Sequence, residues 1–193
     1  MRPNNESLLK LHAGLKLQIE LVPGSCFYSN VRSILKKGQW DEIRRAVYGK
    51  FGNKCAICGG VGPKWPVECH EVWMYDDVAL TQTLGYMQAL CPACHHVKHM
   101  GLHPDSFSRF VTFNGLDRSV AVLIRQAVFK QHSARSRKEW GLNVGHLATE
   151  YGIEVDGLDL SRKKIITPGE RFVDRINSLI AAEDALKQRK KSK

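Results

Sequence analysis

The chain has no run of 18 apolar residues in its 193, so it offers no helix able to span a bilayer. Met1 to Ser7 lead into no apolar stretch of the signal-peptide kind, and a cytoplasmic protein is the expectation. Internal repeats are lacking, which excludes solenoid and propeller architectures. Acidic residues are in short supply: 19 Asp and Glu face 29 Lys and Arg, for a formal net charge of +10. Such a deficit points to a polyanionic partner, and nucleic acid is the commonest one in the cytoplasm. Cysteine is scarce too, with six residues in all, but their spacing is not random.

Four of the six form two pairs, Cys55-Ala56-Ile57-Cys58 and Cys91-Pro92-Ala93-Cys94, with 32 residues between the pairs. Two intervening residues make a tight knuckle in which both sulfurs turn toward one ion. Two knuckles supply four thiolates, the ligand set of a closed, structural zinc site. In a reducing compartment such pairs bind metal rather than form disulfides. Cys26 and Cys69 are left over, and Cys26 reads as a small buried hydrophobe.

Histidines gather around the same anchors. His95 and His99 follow the second knuckle at i and i+4, so a helix beginning after Cys94 points both imidazoles one way. Between the knuckles lies Val67-Glu68-Cys69-His70-Glu71-Val72-Trp73, a β-prone stretch with a third histidine. Four thiolates already fill the zinc site, so these imidazoles point to a second, catalytic metal site.

Taken together, Cys55-x-x-Cys58, His70 and Leu90-Cys91-x-x-Cys94-His95-x-x-Lys98-His99 resemble the HNH endonucleases, the ββα-metal nucleases with a four-cysteine zinc brace. The resemblance covers residues 55 to 99. It implies a hairpin that carries the general base, His70, and a following helix that carries the metal ligands His95 and His99. Glu68 and Glu71 flank the base, and Glu71 is the expected oxygen ligand, with Cys69 as a soft alternative. The implied cofactors are a structural zinc and a divalent catalytic ion, Mg²⁺, Mn²⁺, Ni²⁺ or Zn²⁺; imidazole ligation suits magnesium least. The implied activity is metal-dependent hydrolysis of DNA phosphodiester bonds, with double-stranded DNA as partner. This chain has Cys69 where the family carries an acidic or imidazole ligand, and it has no asparagine between Asn53 and Asn114. Those departures support the alternative, a zinc-braced nucleic-acid-binding module whose nuclease site has degenerated.

The expected fold is α+β: a zinc-braced, HNH-like ββα-metal core with an added N-terminal strand and helix and C-terminal helices. Residues 1–52 carry the N-terminal strand and helix, 53–103 the zinc domain, 104–151 a helical extension, and 152–193 a linker, helix and basic tail. Leu15 to Val22 alternates as a half-buried strand does. Trp40, Ile43, Val47 and Phe51 recur at helical spacing, with Gly52 as a cap. Arg44, Arg45 and Lys50 on that helix read either as a solvated face or as a grip on phosphate. Val67 to Tyr75 is predicted as one hairpin arm, Asp76-Asp77 as the turn, and Leu80 to Leu90 as the return. Asp105-Ser106 is predicted to cap a helix through Phe113, Asp117 a long helix from Arg118 to Arg137, and Val144 to Glu150 a short one. Lys98, Lys130, Arg135, Arg137 and Lys138 are the expected nucleic-acid contacts. Helical spacing returns from Phe172 to Leu186, before the basic run Lys187 to Lys193.

Overall fold

A computed structural model describes residues 3–27 and 29–153. The helix predicted over Phe172–Leu186 and the run Lys187–Lys193 lie outside the described residues. Seven α-helices and three strands account for the regular structure among the described residues: α1 (Asn5–Ala13), α2 (Val31–Ile34), α3 (Lys37–Lys50), β1 (Glu68–Asp76), β2 (Thr81–Leu90), α4 (Pro92–Lys98), α5 (Phe107–Phe113), α6 (Arg118–Arg135), β3 (Gly141–Asn143) and α7 (His146–Tyr151). The class is α+β, with one small sheet in the order β1-β2-β3.

The hairpin is the framework of the site. β1 and β2 pair antiparallel, with Glu68 opposite Leu90 and His70 opposite Gln88. At the turn the Asp76 carboxylate accepts from Val78 N and Ala79 N at 2.8 and 2.9 Å, the local bonding that makes aspartate a turn former. The register shifts between Val72 and Trp73, where Gly85 is the extra residue on β2. A side chain at Gly85 would press to 3.3 Å from Met74 and 3.4 Å from the Val72 carbonyl. β3 adds in parallel to the far end of β2, Thr81 opposite Gly141.

Two apolar cores flank this framework. The first joins Leu8, Leu17 and Ile19 to Leu90, Val97, Phe110 and Ile124. The second joins Val31, Ile43 and Val47 to Val67, Leu84, Met87 and Leu147. Each core draws on the segments 1–52, 53–103 and 104–151 alike, and all three fall within a single unit, Met1–Leu158.

The stretch predicted as an N-terminal strand forms no strand and does not belong to the sheet. Its alternation is real, since Leu17 and Ile19 are buried. Its backbone, however, is satisfied by other groups. Asn114 accepts from Leu17 N at 3.2 Å and donates to Leu17 O at 2.8 Å, His12 Nε2 accepts from Ile19 N at 2.9 Å, and the Lys98 carbonyl accepts from Glu20 N at 2.8 Å. An unlooked-for helix, α1, precedes it, with the Asn4 side chain accepting from Ser7 N. The Asp117 cap holds, accepting from Ser119 N and Val120 N. Ser106 does not cap α5; its hydroxyl donates to the His103 and His96 carbonyls.

Candidate metal centre

The two knuckles meet as their spacing requires. Gly59 N donates to Cys55 O and Cys55 N to Gly60 O, at 2.8 and 2.9 Å, and Gly59 sits at φ +72°, where glycine is at ease. The knuckle is tied to the hairpin by Ala56 N donating to Ala89 O at 2.8 Å. Cys91 is the N-cap of α4 and Pro92 its first residue, a position where proline loses no helical bond. Gly62 packs against Pro92 and the Trp65 carbonyl so closely that an added Cβ would lie 2.2 Å from that oxygen.

The four sulfurs of Cys55, Cys58, Cys91 and Cys94 lie within 4.8 Å of one another. Cys58 and Cys91 are 3.6 Å apart, too far for a disulfide and close to the ~3.8 Å edge of a tetrahedron with Zn–S near 2.3 Å. The Cys55–Cys94 hydrogen bond lowers the Cys55 thiol and raises that of Cys94, and burial raises Cys91, so the close-set sulfurs hold their protons unequally. Arg109 adds a donor to Cys94 Sγ at 3.2 Å. Buried, close-set sulfurs with donors around them are a set that can hold a metal such as zinc, which binds as the thiols lose their protons.

A second cluster lies beside the first. His70 on β1, His95 on α4 and His99 at its end present ring nitrogens within 4.8 Å of one another, with ring centres 4.8–5.1 Å apart. Strand geometry and helix geometry both act here. The period of two on β1 puts Glu68 and His70 on one face, and the i, i+4 spacing on α4 stacks His95 under His99.

Two carboxylates orient the imidazoles. Glu20, from the segment that follows α1, contacts His70 Nε2 at 2.7 Å, and its other oxygen accepts from Lys98. Burial works to raise the Glu20 carboxyl, but the His70 hydrogen bond and the Lys98 charge outweigh it and hold it at about 2. Glu20 is therefore an acceptor only, so His70 Nε2 carries the hydrogen and Nδ1 is the basic nitrogen. Glu68 contacts His95 Nδ1 at 2.5 Å, which leaves the lone pair of Nε2 free on that ring. Burial lowers His95, and burial with the charges of His70 and His95 lowers His99 to about 3, so both are neutral at pH 7. Neutral imidazoles backed by carboxylates are the donor arrangement of transition-metal sites.

No family model, curated protein or solved structure matches the chain. The chemistry of the cluster must carry its interpretation.

The structure brings His70, His95 and His99 together and leaves Glu71 out of the group. Glu71 is on the opposite face of β1, where it accepts from Val31 N at 3.0 Å and from the Trp73 indole at 3.0 Å. Cys69 also faces that way, 3.9 Å from the Met87 sulfur, and burial pushes its thiol up to about 12. Glu20 and Glu68 are the carboxylates at the histidines instead. Glu68 flanked the motif and could have been chosen from its i, i+2 relation to His70. Glu20 had no such signal, since in an alternating stretch it reads as an outward polar residue.

The predicted nucleic-acid contacts divide. Lys98 is 3% exposed and paired with Glu20, so it is a structural cation and not a surface one. Arg135 and Lys138 both close on Asp77, at 2.6 and 3.1 Å. Lys130 and Arg137 are exposed.

Proposed function

We propose that the chain is a metal-dependent endonuclease that hydrolyses DNA phosphodiester bonds with His70 as general base, on an HNH-like unit of hairpin, helix and zinc brace. The observation that carries this reading is the convergence of His70, His95 and His99 on β1 and α4 directly beside the four-cysteine cluster. A structural zinc there needs no open position, and it would hold hairpin and helix in register.

The donor set fits a second divalent ion, held by His95 and His99 through nitrogens that burial keeps neutral. Such an ion supplies Lewis-acid stabilisation of the negative charge that develops on a phosphodiester in hydrolysis. The remaining work falls to the protein. His70 takes the proton of the attacking water at Nδ1 while Nε2–H stays on Glu20. As the ring becomes cationic, the adjacent carboxylate stabilises it, the role of the third member in a nucleophile–base–acid relay. Lys98 fixes the carboxylate.

The test is nicking of supercoiled plasmid by purified protein with each divalent metal in turn, alongside His70→Ala. Loss of about 10² to 10⁴ in rate with DNA binding retained is the expected outcome. Full activity of His70→Ala would remove the base assignment. Binding by the wild type without cleavage under any metal would favour the degenerate binding module.

A further inference from the structure

A hollow beside the site opens on α2, α3 and β1. It measures about 870 Å³ and is lined by Arg32, Lys37, Trp40, Arg44, Tyr48 and His95, among others. A second hollow, of about 460 Å³, shares Arg32, Trp40, Cys69 and His95 with the first and is lined in addition by His70 and His99. The two therefore adjoin, and together they run from the surface of α3 to all three histidines. On the α6 side the space against Glu20, His70 and His99 is only about 150 Å³. That is below the roughly 300 Å³ at which ligand pockets begin.

Exposed cations outside any described ion pair stand on both sides, Arg32 and Lys37 at the groove and Lys130 and Arg137 at the end of α6, so it is the size of the hollow that separates the two. Arg135 and Lys138, at the end of α6, share the single carboxylate of Asp77. In the large groove the acidic residues are already engaged: Asp41 holds Arg44 Nε at 2.7 Å, and Glu68 is on His95. Arg32 and Lys37 are exposed and carry no ion pair among the described residues. Trp40 stands in the wall between the two hollows, an aromatic face beside two free cations.

We infer that the groove along α2 and α3 is where a nucleic-acid strand lies on its way to the histidines, with Arg32 and Lys37 as its phosphate contacts and Arg44, held in place by Asp41, as a third. The inference rests on the nuclease reading above and extends it: the substrate approaches past α3, and the basic end of α6 is not its seat. The contacts are to phosphate, so they set affinity and position without reading sequence.

The experiment is fluorescence anisotropy with a labelled DNA duplex and its single strand, no second metal added, over a range of salt concentrations. Arg32→Ala/Lys37→Ala is compared with Lys130→Ala/Arg137→Ala, and circular dichroism checks that each folds; all four side chains are exposed. The groove variant should bind about tenfold or more weakly at 0.1 M salt, and its log K against log salt should flatten by about 2 for the duplex. The α6 variant should stay within about twofold of wild type. Equal losses from the two variants, an unchanged groove variant, or a wild type that binds neither ligand would overturn the inference. Failure of the nuclease reading looks different: binding lost in the groove variant while the wild type cleaves nothing in any metal.

Discussion

At the scale of single residues, the least expected participant is Glu20. It meets His70 with one oxygen and Lys98 with the other, and Lys98 is buried. Glu20→Gln leaves a buried ammonium without its counter-charge, a change that costs about 3 kcal/mol. Glu20→Gln/Lys98→Met should recover most of that in urea denaturation, because the unpaired charge is gone. Neither variant should recover cleavage, since the relay to His70 is broken in both. If the double variant cleaves at the wild-type rate, Glu20 is structural only. His12 makes a separate, pH-dependent contribution. Burial, followed by the Lys98 charge, lowers it to about 4, and its Nε2 accepts from Ile19 N. Neutral imidazole is thus the form the fold favours, so its contribution is full above pH 6.5 and is lost as pH falls toward 4. His12→Gln keeps an acceptor and removes the proton uptake. Wild type should lose stability relative to that variant by up to ~1.4 kcal/mol per pH unit across this window, and parallel curves would contradict it.

At the scale of elements, the four-cysteine cluster and the hairpin were the most legible, because their signals are local. Two C-x-x-C knuckles, an Asp-Asp turn and two β-prone arms each fix their own geometry within a few residues. Observed strands Glu68–Asp76 and Thr81–Leu90 fall within one residue of the predicted arms. What the sequence hid was non-local. Leu15 to Val22 has a strand's pattern, yet its bonds come from Asn114, His12 and Lys98, none of them readable as partners in advance. β3 is three residues long and pairs across a gap of some sixty, too short to leave a periodic trace. Glu71 was the wrong carboxylate because a strand turns successive side chains to opposite faces. The four-cysteine cluster itself yields a prediction. Small knuckle folds lack the apolar area to hold a hairpin without their ion. Cys91→Ser, or chelation of the wild type, should abolish the cooperative thermal transition, followed by circular dichroism together with the zinc content. A metal-free Cys91→Ser that melts like wild type would remove the structural role.

At the scale of the whole molecule, the excess of positive charge is spread unevenly in purpose. Some of it is internal, as Lys98 is, and some is partly offset, as Arg135 and Lys138 are by the one carboxylate of Asp77. Composition showed the excess and could not show which cations remain free, because that depends on which acids the fold brings beside them. No helix among the described residues is long and apolar enough to cross a membrane. Among the described residues two metal-capable clusters lie around the hairpin and α4, one built of sulfur and the other of imidazole, and separate tasks are proposed for them. The central claim is that the imidazole cluster holds the ion on which cleavage depends. The most direct measurement is the rate of plasmid nicking against Mn²⁺ concentration for zinc-loaded wild type, His95→Ala and His99→Ala. The account predicts that each substitution raises the half-saturating metal concentration by about 10- to 100-fold or more, while the structural zinc content stays at one per chain. Variants that nick plasmid with the wild-type metal dependence would contradict it.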